Sequence, residues 1–224
     1  MTSRVAPFLK GAFIVGYVGL FPLHLSRLWV PAGARGEFSM GAYVVLFVLG
    51  VCAWRRELTA QVRWVAAHKR RSLIALIVGV LGAFVLETLG ALVSGLLAAM
   101  IPGADAALRN DSNILTAITQ FPAWTVIAVL AVMGPMVEEL CFRQFLLSAL
   151  ARRSRPWLGV AVSSLLFGML HMRSWAVSEW VGIIPHLCFG VVAGVLFLKT
   201  RNNVLLPTAV HVPNNLNALV PAVL

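Results

Sequence analysis

The chain has 224 residues, of which 60% are hydrophobic and 12% are charged, with a formal net charge of +10. A soluble domain carries about 25% charged residues, so the composition excludes an ordinary soluble domain and indicates a membrane protein. Nucleic acid is not expected as a partner, because no basic stretch is interleaved with aromatic residues in the manner of a nucleic-acid groove.

Seven apolar segments follow one another along the chain and predict an all-α, polytopic bundle of about seven transmembrane helices, since a span needs about 20 residues. They cover residues 8–30, 38–54, 73–101, 121–150, 157–173, 180–199 and 203–222. The first also has the basic start of a signal peptide, but Pro22, His24 and Arg27 interrupt its end. We therefore expect it to be retained as a span.

The loops between these segments differ in charge. Most basic residues lie in the second, fourth and sixth loops, at 55–71, 152–155 and 199–201. The positive-inside rule then predicts that the N-terminus and the even-numbered loops are cytoplasmic. We expect a single integral membrane domain over residues 1–224, in the inner or plasma membrane of the cell.

Ionisable side chains inside the apolar segments predict a functional site. Each costs about 2.5–3.5 kcal/mol near the bilayer centre, so it must face the protein interior or a water-filled cavity. At 1.5 Å per residue, the polar groups on three different helices fall roughly 14–22 Å from the cytoplasmic side. That common depth favours one shared site, made of Glu138, Glu139 and Arg143 in the fourth segment, His171 in the fifth, and His211 and Asn215 in the seventh.

Other polar features surround these residues. Gly134-Pro135 is expected to loosen the fourth helix one turn before the glutamates. Glu87 and His186 fall near the same depth, and we expect them to be buried hydrogen-bond partners that order the cavity. Cys141 lies beside the glutamates in an apolar helix, where a cysteine usually behaves as a small hydrophobic residue. A cysteine nucleophile is the less favoured alternative.

Three stretches match a known pattern: EExxxR at Glu138–Arg143, FxxxH at Phe167–His171 and HxxxN at His211–Asn215. Their order and placement resemble the CAAX protease and bacteriocin-processing (CPBP) family of intramembrane proteases, which includes the Ras-converting CAAX endopeptidase. The resemblance covers about residues 115–220, which would form the catalytic core, with accessory transmembrane helices in 1–105. Gln144 stands where many relatives have glycine.

The resemblance implies a helical bundle with a cavity that opens in the membrane. It also implies that Glu138 activates water, that His171 helps to hold it, and that His211 and Asn215 stabilise the oxyanion. The partners would be the lipid bilayer and a membrane-anchored protein or peptide substrate, such as one with a leader or a C-terminal sorting segment. The sequence leaves the substrate and the oligomeric state open.

The residues themselves are compatible with this chemistry. Peptide hydrolysis needs a general base for water and donors for the tetrahedral oxyanion. Arg143 is one turn from Glu139 and can keep it ionised, which leaves Glu138 as the better base. A zinc version with Glu138, His171 and His211 as ligands stays open, but no HExxH motif is present and we favour direct activation by glutamate, without a cofactor.

Two other functions remain as alternatives. The buried carboxylates and histidines could form the relay of a proton-coupled transporter, although the chain has no repeated halves. A non-catalytic immunity protein could keep the same polar cluster. We favour an intramembrane endopeptidase.

Overall fold

The computed structural model describes residues 5–101 and 120–223, and these two ranges contain helices and no strand. The all-α class is therefore confirmed for the described residues. The helices are α1 (Val5–Leu20), α2 (Arg35–Ala53), α3 (Arg55–Ala67), α4 (Lys69–Ala99), α5 (Ala123–Arg153), α6 (Pro156–Met169), α7 (Val177–Gly182), α8 (Ile184–Lys199) and α9 (Leu205–Val223).

Four stretches are long and apolar enough to cross a membrane: Ala32–Ala53, Lys69–Ala99, Ala123–Arg153 and Val177–Lys199. The last of these contains both α7 and α8. Helices α1 and α6 are apolar as well, but they are shorter, with 16 and 14 residues. The chain is thus a multi-pass membrane protein, while the predicted total of seven spans and the cytoplasmic N-terminus stay predictions.

The structure differs from the predicted segments at one helix end and in one loop. The first apolar segment is helical only to Leu20, because Pro22 cannot donate a helical backbone hydrogen bond, and the chain continues through the 3₁₀ turns Leu25–Leu28 and Ala32–Ala34. The second loop is largely the helix α3. Its inward face carries Leu58, Gln61 and Val65 at helical spacing, and its arginines lie on the exposed side.

Helix α5 lies at the centre of the bundle. In its most apolar stretch 67% of the residues are buried, against 17% for α4, and every residue from Gly134 to Arg143 is buried. Two parts of α5, Ile127–Met133 and Leu140–Leu147, are π-helical, and the Gly134 N–H bonds to the carbonyl of Val129, five residues earlier. Such wider turns occur frequently at functional sites. The first of them ends directly before Gly134-Pro135, the pair predicted to loosen this helix.

Candidate active site

An open cavity of about 830 Å³ reaches the middle of α5. Its lining includes the chain after α1, Gln120-Phe121 and the chain after α6. These are the odd-numbered loops of the sequence analysis. Four of the five predicted catalytic residues line it together: Glu138, His171, His211 and Asn215.

The two adjacent glutamates face different surroundings, since successive residues on a helix point about 100° apart. Glu138 lines the cavity and lies fifteen residues from either end of α5. Glu139 is 0% exposed and does not line the cavity; its Oε1 is 3.2 Å from Nη1 of Arg143 in an ion pair. The pair of carboxylates is therefore one cavity-facing group and one group buried behind it.

His211 lies between the two carboxylates. Its Nδ1 is 3.0 Å from Oε1 of Glu139, and its Nε2 is 3.7 Å from Oε2 of Glu138. A proton on Nδ1 makes that nitrogen a donor to Glu139, and Nε2 then faces Glu138 and the cavity. The rings of Phe189 and Phe167 pack against the imidazole, with centroids 4.5 and 5.6 Å away. The ring is thus fixed by one polar contact and two apolar ones.

Tyr43 is a site residue that the sequence analysis missed. Its hydroxyl donates to Oε1 of Glu138 at 3.2 Å, and its ring lines the cavity from α2. The available signal was a lone phenol within an apolar span. Tyrosine is also common at membrane interfaces, which is why that signal was not distinctive. The two oxygens of Glu138 therefore have different neighbours, Tyr43 on one side and His211 on the other.

The rings of His171 and His186 pack against each other on the cavity wall, with their planes 36° apart. Their ring centroids are 3.9 Å apart. Nδ1 of His171 is 3.2 Å from the carbonyl of Phe167 and can donate to it, which leaves Nε2 as an acceptor. His186, expected behind the site as an ordering residue, itself lines the cavity from the first turn of α8.

Asn215 is one helical turn beyond His211 on α9. Its Nδ2 donates to the carbonyl of Leu130 at 3.0 Å, in a π-helical part of α5. That bond fixes the orientation of the side-chain amide, whose nitrogen carries two N–H donors. An amide held in this way can offer its second donor to a group in the cavity.

The supporting residues lie behind the cavity wall. Arg143 is fully buried; its Nη2 donates to the carbonyl of Gly190 at 3.2 Å, and its guanidinium stacks 4.6 Å from the ring centroid of Phe167. Glu87 on α4 accepts a hydrogen bond from Nδ2 of Asn214 at 3.0 Å. Glu87 does not line the cavity, so its link to the site is this hydrogen bond to α9, the helix that carries His211 and Asn215.

The side chains that could bind a metal ion are of interest because the sequence leaves a zinc site open. Among the described residues, no group of three His, Cys, Asp or Glu side chains is placed to hold a metal ion. Nδ1 of His211 contacts Glu139, and the ring of His171 packs against His186. The zinc set considered from the sequence stays an untested alternative. Cys141 is buried in the hydrophobic core and does not line the cavity.

Comparison with known families gives a match over the part of the chain that holds these residues. Residues 120–217 match the family described as Type II CAAX prenyl endopeptidase Rce1-like. Comparisons with curated proteins and with solved structures give no significant match. The matched range includes Glu138, His171, His211 and Asn215 and leaves out Tyr43 and Glu87. Residues 120–217 of this chain, which carry all three motifs, are therefore similar to this family of CAAX endopeptidases.

Proposed function

We propose that the chain is an intramembrane endopeptidase that hydrolyses a peptide bond of a membrane-associated substrate, with water activated by Glu138. One observation carries the proposal. Among the described residues that line the cavity, Glu138 is the single carboxylate, and it lies mid-helix between Tyr43 and Nε2 of His211. Burying such a group in a membrane helix is costly, and a general base for water is a reason to keep it there.

The proposed reaction begins with a water molecule beside Glu138. The carboxylate takes one proton from this water while the water oxygen attacks the carbonyl carbon of the peptide bond. The carbonyl oxygen becomes an oxyanion, for which the second N–H of the Asn215 amide is the available donor. Nε2 of His171 or His211 becomes a further donor only when that imidazole is protonated on both nitrogens. When the C–N bond breaks, the proton passes to the leaving nitrogen, which gives a carboxylic acid and an amine.

Glu139, expected among the catalytic residues, is proposed here as a positioning residue. It contacts Nδ1 of His211 and is paired with Arg143. A carboxylate behind an imidazole fixes its tautomer and ring orientation, as in other hydrolytic sites. Arg143 supplies the opposite charge that lets Glu139 stay ionised in the core.

The size of the cavity suits a short stretch of peptide. About 830 Å³ falls in the usual range of roughly 300–1,000 Å³ for ligand pockets. A substrate helix would therefore have to unwind locally to place one peptide bond beside Glu138.

The test compares purified full-length wild type with Glu138→Gln on a library of quenched membrane peptides. Removing the general base should lower turnover by about 10²–10⁴-fold. Glu37→Gln is the matched control, since this exposed carboxylate on α2 does not line the cavity, and it should retain wild-type turnover. Equal turnover by wild type and Glu138→Gln would refute the proposal.

A chelator separates the two ways of activating water. Cleavage that continues in its presence supports activation by the glutamate alone. Cleavage that the chelator abolishes and zinc restores would move Glu138, His171 and His211 into ligand roles.

A further inference from the structure

A polar junction joins three parts of the chain at one end of the bundle. Gln61 lies on the inward face of α3, Gln144 lies on α5, and residues 202–204 connect α8 to α9. None of these residues lines the cavity. The junction is therefore separate from the surface that a substrate would touch.

The side chain of Gln61 makes three hydrogen bonds across this junction. Its Nε2 donates to Oε1 of Gln144 at 2.9 Å and to the backbone carbonyl of Asn202 at 3.1 Å. Its Oε1 accepts from the backbone N–H of Val204 at 3.1 Å. Both amide N–H groups and the amide oxygen thus have partners. A fourth bond runs from Nδ2 of Asn203 to the backbone carbonyl of Gln61 at 3.2 Å.

The chain that leads into α9 is held in an uncommon conformation. Arg201 and Asn202 have φ angles of 59° and 56°, in the left-handed region that few residues other than glycine adopt. Such backbone persists only where the surrounding structure holds it. Asn203 is 1% exposed, and its Oδ1 accepts from the N–H of Leu205, the first residue of α9, at 3.0 Å. The start of α9 is therefore bonded to Asn203, and Asn203 is bonded to Gln61.

Both helices that this junction joins carry parts of the active site. Gln144 directly follows Arg143, whose guanidinium is paired with a buried carboxylate of α5. Leu205 begins α9, and His211 lies six residues later, about 9 Å along the helix axis. His211 contacts two carboxylates of α5, so these contacts depend on the position of α9 along α5.

We propose that Gln61 is a positioning residue that, with Gln144, fixes the place of α9 against α5. It thereby sets the contact between Nε2 of His211 and Glu138. The inference rests on the proposed function. A displacement of about 1 Å at a reacting group can lower a rate by about 100-fold, and three hydrogen bonds from one side chain resist such a displacement. Gln61 lies outside the matched residues 120–217, and a glycine at position 144 would have no side chain to accept its bond.

Replacing the glutamines by methionine, which has a similar length and no amide, tests the proposal by activity. On a quenched membrane peptide that wild type cleaves, full-length Gln61→Met should lower kcat by about 10- to 100-fold. Its KM should stay within about twofold, because the cavity lining is unchanged. Gln144→Met removes one of the three bonds and should lower kcat by about 2- to 10-fold. In the double variant, Gln144→Met should have no further effect, because its bonding partner is already lost.

Ser94→Ala is the matched control for a loss of stability alone. Oγ of Ser94 donates to the backbone carbonyl of Val181 at 2.9 Å, a buried hydrogen bond between α4 and α7, and neither residue lines the cavity. Ser94→Ala and Gln61→Met should both unfold at a lower temperature in detergent, but only Gln61→Met should lose kcat. Equal losses of kcat in the two variants, or a kcat of Gln61→Met equal to that of wild type, would overturn the inference.

The imidazole of His211 gives a reading that needs no cleavage. In protein labelled with ¹⁵N-histidine, the ring signals of His211 are assigned by their absence in His211→Gln. Their positions depend on which ring nitrogen carries the proton and on its hydrogen bond. Gln61→Met and Gln144→Met should move these signals, and Ser94→Ala should leave them in place. Gln144→Met leaves two of the three bonds intact and gives the same test if Gln61→Met does not fold.

The two proposals fail in different ways. Unmoved His211 signals in the glutamine variants would overturn the inference, even where Glu138→Gln abolishes cleavage. Moved signals together with normal cleavage by Glu138→Gln would support the placement of α9 and refute the proposed function.

Discussion

The contact between α6 and α8 gives a prediction whose size follows from the geometry. A Cβ atom added at Gly190 would lie 2.9 Å from both Cα and Cβ of Ser164, and 3.2 Å from its Oγ. Favourable carbon contacts lie at about 3.5–4.0 Å, and a backbone Cα cannot rotate away. The two helices would therefore have to separate, and such overpacking costs about 1–3 kcal/mol.

The change would also reach the active site. The Gly190 carbonyl accepts a hydrogen bond from Arg143, and α6 ends two residues before His171. Gly190→Ala should thus lower both the melting temperature and the turnover. With a shift of about 2–4 °C per kcal/mol for a chain of this size, the melting temperature should fall by roughly 2–12 °C.

Gly82→Ala on α4 is the matched control. Its added Cβ would meet only Val192, at 3.7 Å, an ordinary contact. Alanine is the better helix former by about 0.5–1 kcal/mol, so this variant should be as stable as wild type or slightly more so. Both proteins are measured by thermal unfolding in the same detergent. Equal melting temperatures for Gly190→Ala and Gly82→Ala would refute the packing argument.

Three further predictions concern the cavity and its supports. Tyr43→Phe removes the hydroxyl that donates to Glu138 and should reduce kcat/KM by about 2- to 10-fold; an unchanged value would contradict a role for that bond. Glu87→Leu should lower kcat by about tenfold because it removes the hydrogen bond that Asn214 of α9 donates to Glu87. Glu87→Gln keeps an acceptor oxygen, so its kcat should fall much less. In a background without the native cysteines, Ser26→Cys should react with an impermeant maleimide outside intact cells and Ser154→Cys should not. The reverse labelling would place the cavity mouth in the cytoplasm.

The sequence could predict that the polar residues lie together, because exposing a polar side chain to lipid costs free energy. Glu138, His171, His211 and Asn215 lie on three different helical segments, and each had to face the interior or water. Their common depth indicated one site, and in the structure they line one cavity. The separation of Glu139 from that cavity could also have been foreseen, since neighbours on a helix point about 100° apart.

Other features could not be foreseen, because the same residue types suit several environments. Tyr43 fits a membrane interface as well as a cavity wall, and the sequence does not say which helices neighbour α2. His186 reaches the cavity because α8 begins beside it. The charge density of α3 is typical of a loop, whereas Leu58 and Val65 have the helical spacing that the structure follows.

In the proposed mechanism, the two adjacent glutamates divide two tasks that one carboxylate could not perform together. A carboxylate that holds an imidazole in the core needs an opposite charge beside it, and Glu139 has Arg143 at 3.2 Å, with both side chains 0% exposed. A general base must instead reach water and exchange a proton, which Glu138 can do at the cavity wall. His211 contacts both carboxylates, so a shift of the buried pair would be transmitted to the base. On this reasoning the buried Glu139 and Arg143 serve the orientation of His211, and the reacting water meets Glu138 alone.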